Sequence, residues 1–373
     1  MKYFLLLSLI ITNACFAQQI ETSVSQLKFV GEYDLPNALQ YKGTTVGGLS
    51  GIDYDVKQNV YYLISDDKSE KNPARFYTAK IHFTDKTFDS VQLTAVKSLL
   101  DKEGRVYPNA KQDAFHTPDP EAIRYNPLKD DLTWTSEGER KVKTGDTVLE
   151  NPAITIINKQ GLYKDIFTLP ANMLMNSDDK GPRDNGVFEG LSFADNFKNV
   201  FVSVEEPIYE DGKRADNTDS AWIRVLKFDN TTHQPIAQYA YQIDPVPYPA
   251  TPADAFKING VSDILYIGND KLLVLERAYS TGRFTCNVRL YSADLKNASN
   301  VSNIISLDKQ KPFIPLQKQL LLNFDSLHRF IDNIEGVTVG PKLSNGHHTL
   351  LFVSDDNFSK LERTQFLLFE IIP

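Results

Sequence analysis

The feature that most constrains this chain is a hairpin that recurs. Five stretches share one plan: a short strand, a polar turn, and a more apolar strand that ends on carboxylates. They are GGLSGIDYDVKQNVYYLISDD from Gly47, EAIRYNPLKDDLTWTSEGE from Glu121, EGLSFADNFKNVFVSVEE from Glu189, NGVSDILYIGNDKLLVLER from Asn259 and NIEGVTVGPKLSNGHHTLLFVSDDN from Asn333. Counting the last from Glu335, the openings step by 74, 68, 70 and 76 residues. A period near 70 residues points to a repeat architecture.

Each repeat carries further strand-like runs. RFYTAKIHF and SVQLTAVKSLL follow the first hairpin, AITIINKQG and YKDIFTLP the second, AWIRVLKFD and PIAQYAYQI the third, CNVRLYSADL and VSNIISL (from Val301) the fourth. Their alternation and β-branched content read as strands, and four strands per repeat is the composition of a propeller blade. The last repeat has only FLLFEI after Asp356. Its missing strand is supplied at the other end of the chain by LKFVGEYDL, from Leu27. The expectation is an all-β, five-bladed β-propeller whose last blade is closed by the N-terminal strand. Six blades are the alternative if residues 311–327 hide another hairpin. Polar inserts at 101–118, 139–151, 172–185 and 210–220 read as loops gathered at one rim.

Residues 1–17 have the basic start, short apolar core and small terminal residues of a secretory leader. A membrane helix would need about 20 apolar residues. An exported chain with 18–373 as one domain is expected, with a lipid-bearing Cys15 as the rival reading. Cys286 is then alone and reads as a buried hydrophobe, so no disulfide framework is available. The net charge of −8 argues against nucleic acid as a partner. No membrane span is expected, and the chain reads as a monomer acting on a small anionic or ester substrate.

First strands line a propeller's channel, and Glu121, Glu189 and Glu335 open three of them, where Gly47 and Asn259 open the other two. Second strands end on Asp66–Asp67, Glu137, Glu205–Glu206, Glu276 and Asp355–Asp356. Antiparallel pairing brings both sets to one mouth. Carboxylates so gathered raise each other's pKa unless a cation sits among them. An all-oxygen set suits Ca²⁺, with Mg²⁺ as the alternative. The candidate metal ligands are therefore Asp66, Glu121, Glu137, Glu189, Glu205, Glu335 and Asp355, with Glu121, Glu189 and Glu335 also the catalytic candidates. Arg124, Arg183 and Arg277 are placed to bind an anionic group or to act as counter-ions of the ring. The chain has no G-x-S-x-G elbow, H-E-x-x-H or P-loop.

At these same residues the chain resembles the phytase-like family known for "esterase-like activity of phytase". GGLSGIDYD followed by LISDD and ARFY carries the likeness, with RDNGVFEG from Arg183, LVLER from Leu273, and DNIEGV followed by LLFVSDDN. The resemblance spans nearly the whole chain beyond the leader. It implies a propeller and, through distant similarity to β-propeller phytases, calcium-assisted hydrolysis of phosphate esters. Two departures stand out: Glu121 is followed by Ala122 where such proteins carry glycine, and the lysine-rich phosphate clamp of a phytase has no counterpart here. The functional expectation is a secreted, metal-dependent hydrolase of phosphate or carboxylate esters. Its alternative is a non-catalytic propeller that binds a ligand or protein partner around a structural calcium ion.

Overall fold

The computed structural model describes residue 19 and residues 21–373, so the leader expected at 1–17 lies outside the described residues. Five four-stranded antiparallel sheets make up the fold. From the channel outward, blade 1 is Leu49–Asp55, Val60–Ser65, Arg75–Phe83 and Phe88–Ser98. Blade 2 is Pro120–Asn126, Asp131–Ser136, Ala153–Asn158 and Tyr163–Ile166. Blade 3 is Phe188–Ala194, Asn199–Val204, Ala221–Asp229 and Pro235–Ile243. Blade 4 is Lys257–Tyr266, Lys271–Ser280, Asn287–Asp294 and Gln317–Asn323. Blade 5 is Asn333–Lys342, His348–Asp355, Thr364–Ile372 and, outermost, Gln26–Leu35.

The N-terminal strand thus closes the ring, running antiparallel to the last strand from Gln26 opposite Ile372 to Leu35 opposite Thr364. The five-blade reading holds and the six-blade alternative fails, because residues 311–327 supply only the outer strand of blade 4 and a 3₁₀ turn, Phe324–Leu327. The VSNIISL run, expected as that outer strand, is irregular instead. Its apolar side chains find burial on the neighbouring blade: Val301 and Leu307 pack on Ala240 beside Trp222 and Phe313. Val301 N donates to Gln238 O at 2.8 Å and Leu316 N to Ala240 O at 2.9 Å. The segment so covers the free edge of blade 3, which otherwise offers unpaired backbone groups. The inserts are mostly loops, as expected, except that 139–151 contains the paired ribbon Glu139–Lys141 and Val148–Glu150.

Local chemistry fixes the hairpins. Asp55 Oδ1 accepts from the N–H groups of Lys57 and Gln58, and Asn126 Oδ1 from those of Leu128 and Lys129. These side-chain turns reverse the chain at the far end of each channel strand. The core lies between blades. Tyr62, Ile64 and Phe76 of blade 1 meet Ile123, Leu132 and Trp134 of blade 2, and Leu273, Leu275 and Val288 of blade 4 meet Val337, Leu350 and Phe369 of blade 5. Among the described residues no helix is long and apolar enough to cross a membrane.

Candidate active site

Each channel strand carries one β-bulge near its start, and the extra residue there is re-aimed out of the ladder. The bulges fall at Ser50, at Glu121–Ala122, at Glu189, at Ser262 and at Glu335. The glutamates are therefore equivalent by structure. Their counterparts in blades 1 and 4 are Ser50 and Ser262, three residues beyond the Gly47 and Asn259 that the sequence pattern aligned. Both serines are committed to neighbouring blades, Ser50 Oγ donating to Glu121 O at 2.8 Å and Ser262 Oγ to Ile334 O at 3.2 Å. The residue after the bulge sits hard against the next blade. A Cβ on Gly51 would stand 2.7 Å from Glu121 O, and one on Gly190 2.6 Å from Ile264 N. Blade 2 accommodates Ala122 at this place, fully packed at 2% exposure.

The second strands contribute a matching ring. Leu49, Pro120, Phe188, Val261 and Ile334 pair with Ser65, Ser136, Val204, Glu276 and Ser354. One step further along lie Asp66, Glu137, Glu205, Arg277 and Asp355. The fourth blade thus places an arginine in an otherwise acidic ring. Glu276, expected in it, points elsewhere: its carboxylate takes Tyr241 Oη, Lys318 Nζ, Asn259 Nδ2 and Asp244 N. The acidic doublets also divide their work. Asp66 and Asp355 face the cup, whereas Asp67 binds Arg75 at 2.6 Å and Asp356 accepts from Gly48 N and Thr364 Oγ1.

The result is a cavity of about 760 Å³, lined by Asp66, Glu121, Glu189, Glu205, Glu335 and Asp355 together with Lys68 and Arg277. Two groups of three carboxylates, each with two members in this lining, bring oxygens within 4.8 Å of one another: Asp66, Asp119 and Glu121, and Glu121, Glu137 and Glu189. Glu121 belongs to both. Two of the residues at this centre, Asp119 and Lys68, were not singled out from the sequence. Asp119 lies two positions before Glu121, and Lys68 directly follows an acidic doublet, which is the signal the sequence offered. They are joined at 2.5 Å.

Protein donors reach these acids unequally. Glu137 Oε1 accepts from Gly186 N at 2.8 Å and from Val187 N. Glu335 Oε1 takes Asn333 Nδ2 at 2.8 Å and Arg277 at 3.2 Å; Glu205 takes Arg277 at 3.1 Å. The side chains of Glu121 and Glu189, each 6% exposed, accept no hydrogen bond from any described residue, and Asp119 Oδ1 is likewise buried without a partner. Burial first, and then Glu189 and Asp66, hold the Glu121 carboxyl well above its usual range; burial, Glu137 and Glu205 do the same to Glu189. Burial raises Glu137 to about 8, and Glu205 and Glu335 to about 7 against the pull of Arg277. Burial followed by Asp119 and Asp355 raises Asp66, and burial followed by Glu335 raises Asp355. Such a set of crowded, mutually repelling carboxylates, of which Glu121 and Glu189 take no protein donor, fits hard divalent cations such as Ca²⁺ or Mg²⁺.

Deeper in the channel, outside the lining of the cup, lies an ion pair. Arg124, one turn of the pleat below Glu121, is 2% exposed; it binds both oxygens of Asp263 at 2.8 and 2.7 Å, Leu191 O at 2.6 Å and Ile52 O at 2.5 Å. It ties four blades together across the channel and keeps no donor for a substrate, contrary to the sequence expectation. Below it the opposite mouth is a dent of about 90 Å³. Arg183 also stands outside the cup: it donates to Pro207 O at 2.8 Å and Gly212 O at 2.7 Å and stacks on Tyr209. Of the three arginines read from the sequence, Arg277 alone lines the cavity, and its Nε–H is buried without an acceptor among the described residues.

The family model described as "Phytase-like: Esterase-like activity of phytase" matches residues 44–358. The chain belongs to this family. The match to the phytase-like family takes in all five channel strands and every residue of the two carboxylate groups. No protein of curated function matches the chain's sequence. Among solved structures it is similar to an α-L-arabinofuranosidase from Lactobacillus brevis, at 10% identity and a TM-score of 0.46, over 87% of this chain and 91% of that one. A thermostable family-43 glycoside hydrolase is similar at 12% identity and 0.46, over 88% and 95%. An exo-β-1,3-galactanase from Phanerochaete chrysosporium matches at 10% and 0.46, over 91% and 64%.

Proposed function

We propose that the cup is the active site of an exported, metal-dependent hydrolase of phosphate or carboxylate esters. The observation that carries this reading is the pair of three-carboxylate groups sharing Glu121, in which Glu121 and Glu189 take no protein donor. Asp66, Asp119 and Glu121 would hold one divalent cation and Glu121, Glu137 and Glu189 a second, with Ca²⁺ the best match to an oxygen-only set and Mg²⁺ the alternative. Such cations, when bound, polarise an ester oxygen and acidify water. Glu335 lies outside both groups, is oriented by Asn333, and has a carboxyl raised to about 7. That suits a base which takes a proton from attacking water near neutral pH. Arg277, held between Glu205 and Glu335, lines the cup and would bring its positive charge to the anionic oxygen of the substrate. Asp119 fixes Lys68 at the edge of the cup as a second cation for that group.

Turnover of one phosphomonoester panel and one acyl-ester panel, with Ca²⁺ and with chelator, tests the proposal. Hydrolysis in one panel, abolished by chelation, is expected. Glu335→Gln should lower kcat by about 10²–10⁴-fold, the usual yield of a positioned base, while Ca²⁺ still raises the Tm. Absence of turnover on both panels in a protein that still binds Ca²⁺ would leave a binding propeller with a structural ion.

A further inference from the structure

Phe284 and Leu361 are the two most exposed large hydrophobic side chains among the described residues, at 95% and 90%, and Phe256 is 59% exposed. All three stand at the cup. Single exposed apolar residues are ordinary on a protein surface, but three converging on the mouth of one cavity are not scatter. Beneath them the blade 4 side continues apolar. Phe256 packs on Tyr279 with ring centroids 6.3 Å apart, and Ile258 and Cys286 are buried in the same wall. The cavity therefore has two faces. Blades 1, 2, 3 and 5 present Asp66, Glu121, Glu189, Glu205, Glu335 and Asp355; blade 4 and the loop after the second strand of blade 5 add Phe256, Ile258, Phe284 and Leu361 beside Arg277, Arg283 and Glu362.

Cations at this mouth are few and already engaged. Lys68 is on Asp119, Arg277 is on Glu205 and Glu335, and Arg283 lies 3.7 Å over the Tyr248 ring. One anionic or ester head of modest size, joined to an apolar group, matches both faces at once.

We propose that the substrate is an alkyl or aryl monoester whose head lies on the Arg277 side of the carboxylate floor and whose apolar group lies along Phe256, Phe284 and Leu361. This deepens the active-site reading above and rests on it. The source of the apolar group is a soluble, monomeric ester, because a cavity of about 760 Å³ has the size that encloses a small molecule.

Calorimetric titration of the Ca²⁺-loaded protein with methylphosphonate, hexylphosphonate and inorganic pyrophosphate tests it. A fully buried methylene strengthens binding about fourfold, so partial burial of the hexyl chain should make hexylphosphonate bind at least about tenfold tighter than methylphosphonate. Phe284→Ser with Leu361→Ser, both exposed and so harmless to folding, should erase that increment and leave methylphosphonate affinity unchanged. Equal affinity of the two phosphonates, survival of the increment in the double variant, or tighter binding of pyrophosphate than of hexylphosphonate would each overturn the inference while leaving the hydrolase reading in place. Phosphatidylcholine vesicles that capture the wild type but not the double variant, without a chain-length increment in solution, would also overturn it, in favour of a membrane surface. Failure of every phosphonate to bind a protein that does bind Ca²⁺ would overturn the inference and, with it, the phosphate-ester form of the active-site reading.

Discussion

Glu121 and Arg124 sit three residues apart on one strand, and their surroundings are opposites. Arg124 has protein acceptors on every side: both oxygens of Asp263 and carbonyls from three neighbouring strands. Asp263 in turn accepts from Val337 N at 2.9 Å and Ile264 N at 2.8 Å. Glu121, equally buried, has like charges for neighbours and no donor. Buried charge is costly unless paired. The lower layer meets that condition within the fold; the upper layer leaves it to be met from outside. On the proposal above, the difference separates a structural charge from a ligand-binding one.

The comparison breaks most visibly at Arg124. Arg124→Leu strands Asp263 in the channel and should cost about 3–5 kcal/mol, the range for removing one partner of a buried pair. Urea unfolding measures it, and a loss below about 1 kcal/mol would mean that the channel is wetter than its burial indicates. In the cup the sign reverses. Glu121→Gln with Glu189→Gln should leave the chelated protein as stable as the wild type or more so, since repulsion is relieved. The same change should remove the response to Ca²⁺. For the wild type that response is worth roughly 2.7 kcal/mol at about a hundred times Kd. Identical melting curves of the wild type with Ca²⁺ and with chelator would show that the acids are merely hydrated.

Protons can stand in for the cation, which sharpens the contrast. Glu137, Glu205 and Glu335 hold their protons to about 8, 7 and 7 in the folded chain, whereas an unfolded glutamate loses its proton near 4.3. The folded state binds more protons between these limits, so stability falls as pH rises. Chelated protein should keep this contribution below about pH 4.5 and lose it progressively as the pH rises to 7 and 8. Saturating Ca²⁺ should flatten the profile, because calcium binds the ionised form. Melting temperatures at pH 5.5, 7 and 8.5 with and without chelator decide it; a rise with pH in chelator would contradict the assignment. The smallest effect belongs to Arg183. Arg183→Ala loses two hydrogen bonds to carbonyls and should cost about 0.5–1.5 kcal/mol, with Ca²⁺ and phosphonate binding unchanged.

Much of this was legible in the sequence. The repeat near 70 residues gave the blades, and the lone strand from Leu27 gave the closure, because both are patterns of period and count. Glu121, Glu189 and Glu335 were found for the same reason. The misreadings share a cause: they turn on three-dimensional register. Ser50 and Ser262 were missed as counterparts of the glutamates because a bulge inserts a residue that no period-two pattern reveals. Arg277 was seen as a neighbour of Glu276, yet the same bulge puts Arg277 in the ring and turns Glu276 away from it. Arg124 carries nothing in its sequence context to say that Asp263, 139 positions later, will occupy it. The run from Val301 has the composition of a strand and is used to cover an edge, a choice made by the neighbouring blade.

The pairing of Gln26–Leu35 with Thr364–Ile372 joins the first of the described strands to the last of them. While the chain is being made, blades 1 to 4 can form from consecutive segments, but blade 5 cannot, since its third strand, Thr364–Ile372, emerges after every other described strand. A chain truncated before Thr364 exposes two apolar strand edges, one at each end of an open arc, and is a ready target for aggregation or proteolysis.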